Sequence, residues 1–79
     1  MNNLNDIKKE LKLSINLNNY KNQYNLSITK LCKTLKITYQ MAKDILNGNQ
    51  IGKVRTIEKI ADNLGLTIDK LLFEEVNFE

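Results

Sequence analysis

Apolar residues return at helical intervals along most of this chain. Leu31 and Leu35 lie four apart and share one helix face, while Ala42 and Ile45, three apart, define a second. The same spacing predicts helices over 28–35, 39–46, 54–64 and 68–74. Ser27 and Thr38 each stand just before a run, where a side-chain oxygen can cap the first free amides. Gly48, behind Asn47, marks a stop, and Gly65 fits a left-handed C-cap. Nearer the front, Leu4, Ile7 and Leu11 suit a short amphipathic helix, and Leu13, Leu17, Tyr20 and Tyr24 carry helical spacing onward. Leu11, Leu13, Ile15 and Leu17 also alternate strictly with polar residues, so a half-buried strand over 10–17 competes with that helix. Residues 47–53 read as a loop, and 75–79 are left unassigned. These faces nominate a core of Leu17, Tyr20, Leu26, Leu31, Leu35, Ile37, Ile45, Ile57, Ile60, Ala61, Leu64, Leu66, Leu71 and Leu72.

Only Lys36 and Ile37 separate the run ending at Leu35 from the cap at Thr38. So short a link forces the second helix to turn sharply against the first. That is the layout of a helix-turn-helix, whose second helix is shaped to enter a DNA major groove.

Beyond this unit, Leu26 to Leu72 resembles the phage-repressor and Cro-like helix-turn-helix family (the Xre family) without a gap. The asparagine-glycine that follows that family's recognition helix appears here as Asn47-Gly48. Its next helix matches VRTIEKIADNLGL, Val54 to Leu66, and its closing cap and aspartate match Thr67-Ile68-Asp69-Lys70-Leu71-Leu72. The resemblance implies an all-α, five-helix, repressor-like domain spanning 1–79. It would have an N-terminal extension over 1–12 that adds a helix or strand, a family core over 13–72 and a tail over 73–79. It also favours helix over strand beneath the helix-turn-helix. Cys32 stands where the family has alanine, which fits a small buried hydrophobe. Lys36 replaces a frequent glycine, and a positive φ there would cost about 1–2 kcal/mol.

Site residues follow from the same resemblance. Tyr39, Gln40, Lys43 and Asp44 face away from Ala42 and Ile45, on the side that the family uses to read bases. Gln40 suits adenine, Lys43 suits guanine, and Tyr39 suits a thymine methyl or a phosphate. Asp44 suits cytosine, or else holds Lys43 or Lys36 in place. Thr38, Asn47, Asn49, Gln50, Lys53 and Arg55 are expected on phosphates. The plain alternative for all of them is a solvated helix face. Ile28 departs from the family, which often carries a glutamine clamp there.

Charge sharpens the picture. Residues 1–55 hold ten Lys or Arg against three Asp or Glu, a balance of +7, whereas residues 56–79 hold two against six, a balance of −4. A basic front and an acidic end suit a protein that lays one side on phosphates. The chain has no histidine, a single cysteine and no carboxylate pair at metal spacing, so neither a metal site, a cofactor nor an enzyme is expected. No apolar run is long enough to span a membrane, and no export signal is evident, so the cytoplasm is the expected compartment. A small-molecule substrate is not expected.

Two functions remain. One is a sequence-specific regulator of double-stranded DNA, a repressor acting as a homodimer on a palindromic operator. The other is a protein-interaction module on the same fold, such as an antitoxin-like or mobile-element partner. Ile28, Leu46 and Ile51, apolar where the family is usually polar, keep the second open. Leu72, Phe73, Val76 and Phe78 are the expected dimer contact, since apolar residues at an exposed terminus usually mark one. Alternatively, Leu4 to Leu11 covers that tail within one chain.

Overall fold

A computed structural model of the chain describes residues 11–48 and 53–78. Five helices follow one another: α1 (Leu13–Gln23), α2 (Ile28–Leu35), α3 (Tyr39–Leu46), α4 (Val54–Leu64) and α5 (Ile68–Phe73). No strand occurs among the described residues.

The strand expected as a competitor over 10–17 is therefore overturned from Leu13 onward. Helical geometry turns Leu13 and Leu17 inward to 3 % and 0 % exposure and leaves Ile15 at 39 %. A strand would have put all three on one face. The helix expected over Leu4 to Leu11 falls on residues outside the described ones, except for Leu11, which is half-buried and not helical. At the other end, α5 stops at Phe73 rather than Glu74, because Glu74 turns to an extended backbone.

Capping explains where the helices begin. Ser27, Thr38 and Thr67 each accept a hydrogen bond of 3.1 Å from the amide three residues on, the arrangement that satisfies an orphan donor at a helix start. Gly65 ends α4 in the left-handed region at φ 70°, where glycine carries no Cβ penalty. Lys36 ends α2 at φ 62° without that advantage. Lys36→Gly should accordingly raise stability by about 0.5–1 kcal/mol, once the greater freedom of glycine in the unfolded chain is subtracted. A thermal melt checks this, and a lowered midpoint would mean that the lysine makes a compensating contact.

Packing joins α1 to α3 and α5, α2 to α3 and α4, and α4 to α5. Leu17, Leu31, Leu35, Ile45, Ile60 and Leu71 form the centre at no more than 1 % exposure. Cys32 is a buried free thiol whose Sγ lies 3.1 Å from the Thr29 carbonyl. Tyr20, Leu26, Ile37, Leu64, Leu66 and Leu72 pack around the rim of this core.

Asparagine does much of the tying. A helix leaves its last carbonyls without intrahelical partners, and here side chains of other helices reach them. Asn63 of α4 donates to the Leu35 carbonyl at the end of α2, 3.2 Å away. From α1, Asn18 donates to the Leu46 carbonyl at the end of α3, at 3.0 Å. Asn16, fully buried, donates to the carbonyls of Leu71 and Glu74 at 2.7 and 2.8 Å, and its Oδ1 accepts from the Val76 amide at 2.8 Å. That last set fastens the tail to α1. Phe78 completes the attachment edge-on to Tyr20, centroids 5.2 Å apart, and Tyr20 in turn meets Tyr24 at 5.0 Å.

Candidate nucleic-acid interface

α2 and α3 pack together across a link of three residues, Lys36, Ile37 and Thr38. The link works because each residue does one job. Lys36 reverses the chain with its left-handed backbone, and the Ile37 amide donates back to the Cys32 carbonyl at 3.0 Å. Ile37 packs on the core, and Thr38 starts the next helix.

On α3 the division of faces is clean. Ala42 and Ile45 are buried at 0 % and 1 %, which fixes the rotation of the helix. Tyr39, Gln40 and Lys43 are then exposed, and Asp44 is half-exposed. Asp44 accepts from Gln40, Nε2 to Oδ1 at 2.9 Å, one helical turn apart. The carboxylate thus orients the amide. A glutamine amide has two donor hydrogens and an acceptor oxygen. With one hydrogen held by Asp44, the second hydrogen and Oε1 still supply the donor–acceptor pair that an adenine edge requires.

Thr38 sits at the N-terminus of α3 with its oxygen accepting from Met41, so its hydroxyl hydrogen can turn outward. Its neighbours Tyr39 and Gln40 contribute amides that precede the first intrahelical bond, from Ala42 to the Thr38 carbonyl. Such a helix start favours anions. Asn47 caps the other end of α3 and is exposed. Lys53 and Arg55 open α4, both exposed. Asn49, Gln50 and Ile51 lie outside the described residues. Lys30, Lys33 and Lys36 add exposed positive charge on and just after α2.

Elsewhere the expected contacts divide. Leu46 is half-buried and packs on the core, so its apolar character has an internal cause. Ile28 is also half-buried. Of the four tail residues expected at a dimer contact, Val76 and Phe78 are held to α1 of the same chain. Leu72 packs on the core, and Phe73 alone is largely exposed, at 53 %. α1 thus covers part of the tail, and the Leu4 to Leu11 segment expected as its alternative cover lies, but for Leu11, outside the described residues.

Ser14 and Asn18, which sequence reasoning passed over, both reach the Leu46 carbonyl, at 3.0 Å each. Their spacing of four along one helix was the available signal. No helix among the described residues is long and apolar enough to cross a membrane. Comparison of the chain with protein-family models, curated proteins and solved structures finds no match.

Proposed function

We propose that this protein is a sequence-specific regulator that binds double-stranded DNA, with α3 as the helix that enters the major groove. It is not an enzyme in this reading, it needs no cofactor or metal, and it works in the cytoplasm as a repressor-like homodimer on a palindromic site. The observation that carries the proposal is the outward face of α3, where exposed Tyr39, Lys43 and an oriented Gln40 stand together beside a capped helix start. The resemblance to the Xre family and the basic front of the chain support the same conclusion.

Selection from random duplex DNA, followed by a salt titration, tests it. A recovered consensus and a steep fall of affinity with salt are expected. Weak binding without sequence preference would overturn it.

Within this reading, Tyr39, Gln40, Lys43 and Asp44 act at base edges, while Thr38, Asn47, Asn49, Gln50, Lys53 and Arg55 act at the backbone. Gln40→Ala should cost about 1–3 kcal/mol on the selected site and relax preference at one position. Equal losses on selected and random duplexes would remove Gln40 from the base-reading set. By contrast, Lys53→Ala and Arg55→Ala should each weaken all DNA alike and reduce the salt slope by about one unit. A slope unchanged in both variants would leave these side chains in solvent.

The dimer contact is proposed at Phe73, because Leu72, Val76 and Phe78 pack within the chain. A second reading, a module that binds another protein, draws on the same exposed Phe73 and on Val54, 69 % exposed at the start of α4. Equilibrium sedimentation of the pure chain separates the two. Concentration-dependent dimers that Phe73→Ala abolishes favour the first reading, and a monomer at all concentrations favours the second.

A further inference from the structure

We infer that Ser14 and Asn18 are positioning residues that set the angle at which α3 meets DNA, by clamping its C-terminal end to α1. This inference rests on the proposed function and names two residues outside the DNA-facing set.

The geometry begins with the Leu46 carbonyl, which belongs to the last residue of α3. A terminal carbonyl has no amide ahead of it within its own helix and is usually left to water. Here it accepts two bonds from another helix, from Ser14 Oγ and from Asn18 Nδ2, both at 3.0 Å. The two donors are themselves tied together. Asn18 Nδ2 also donates to the Ser14 carbonyl at 2.9 Å and approaches Ser14 Oγ at 3.5 Å. The chain then leaves α3 past the same serine. A Cβ built on Gly48 would stand 3.9 Å from Ser14 Oγ. The far end of α3 is therefore held by directional bonds as well as by the apolar contacts that Ala42 and Ile45, buried at 0 % and 1 %, make along the helix.

Apolar contacts alone would leave a helix of eight residues some freedom to pivot about its buried side. Hydrogen bonds at the end of the lever remove that freedom, since they weaken steeply with distance and angle. Base recognition depends on the same precision, because bidentate contacts tolerate displacements of only about half an ångström. Neither Ser14 nor Asn18 need touch DNA to influence which bases Tyr39, Gln40 and Lys43 can reach.

The test uses the full chain carrying Ser14→Ala with Asn18→Ala, compared with wild type and with Ser14→Thr, which keeps the hydroxyl. Residual dipolar couplings report the orientation of α3 relative to α1 without DNA, and affinities for selected and random duplexes report discrimination. The double variant should reorient α3 and lower the ratio of selected to random affinity by about tenfold, the scale of one displaced base contact. Its salt slope should stay unchanged, because no phosphate contact is lost. Ser14→Thr should keep the wild-type orientation. An unchanged α3 orientation, or an unchanged affinity ratio in a reoriented variant, overturns the inference. If the double variant does not fold, Asn18→Ala alone, which retains the serine bond, carries both measurements with the same criteria. A wild-type chain without any sequence preference would defeat the proposed function instead, and the couplings would still decide whether the clamp orients α3.

Discussion

Asn16→Asp is expected to be among the most damaging single-atom changes available in this protein, and its damage should depend on pH. Asn16 is fully buried, and its Nδ2 donates to two carbonyls while its Oδ1 accepts one amide. An aspartate can reproduce the acceptor only. Its second oxygen would face the carbonyls of Leu71 and Glu74 at the distances where hydrogens now lie between them. Burial and those two dipoles disfavour the charged form, so the carboxyl in the folded variant must titrate above its unfolded value of about 3.9. Below that value both states are protonated, and the acid can donate one of the two lost bonds. As pH rises through it, the unfolded state releases its proton first, and stability falls until the raised folded value is passed. Relative to wild type, the loss should grow from about 1 kcal/mol near pH 3.5 to about 3 kcal/mol or more at pH 7. Urea unfolding of both proteins across that range measures the difference at each pH, which cancels the titration of the other carboxylates. A pH-independent difference would show that the tail has detached and freed the side chain to reach water. Asn16→Ala, which strands the same partners without adding charge, should cost about 2–3 kcal/mol at every pH.

Leu35→Ala should destabilise the domain on a similar scale for a different reason. Leu35 is wholly buried where α2 meets α3 and α4. Removing its branched end loses transfer energy and leaves a cavity that backbone carbonyl ties resist closing, since the Leu35 carbonyl itself is held by Asn63. Such substitutions cost about 2–5 kcal/mol. Small domains hold roughly 5–15 kcal/mol in total, and a chain of this length sits low in that range. The variant should therefore unfold at a much lower urea concentration with an unchanged slope. The proposed DNA binding should be lost on warming at temperatures that the wild type withstands. A loss under about 1.5 kcal/mol would mean that neighbouring residues collapse into the space, as volume-conserving repacking can.

Most of this fold was legible in the sequence because its signals are local. The boundaries of α2 to α4 follow from caps at Ser27 and Thr38, a stop at Gly65 and apolar spacing between them. Alternation over Leu11 to Leu17 was ambiguous because an apolar residue at every second position satisfies a strand, while Leu13, Leu17 and Tyr20 satisfy a helix. Only the partner surfaces of α3 and α5 decide, and those are distant in sequence. Asn16 escaped notice because a polar residue within an apolar face has no visible purpose until its partners 55 to 60 positions away are in place. The outward face of α3 was readable from Ala42 and Ile45, which fix its rotation. The pairing of Gln40 with Asp44 was not, since several partners lay within reach of that carboxylate. The hold of α1 on the tail was not legible for a related reason, since Tyr20, the ring that meets Phe78, lies far from it in sequence.

The asparagine ties between helices have a consequence for how such a domain can be handled. An amide neither titrates nor gathers counterions, so the bonds that Asn16, Asn18 and Asn63 make to helix ends lie outside the reach of ionic strength. Contacts to a polyanion are governed by it. The forces that assemble this molecule and those proposed for its grip on DNA therefore respond to different variables. Under the proposed DNA binding, brine that stripped the protein from a duplex would leave these ties intact, and the released chain would rebind on dilution without refolding.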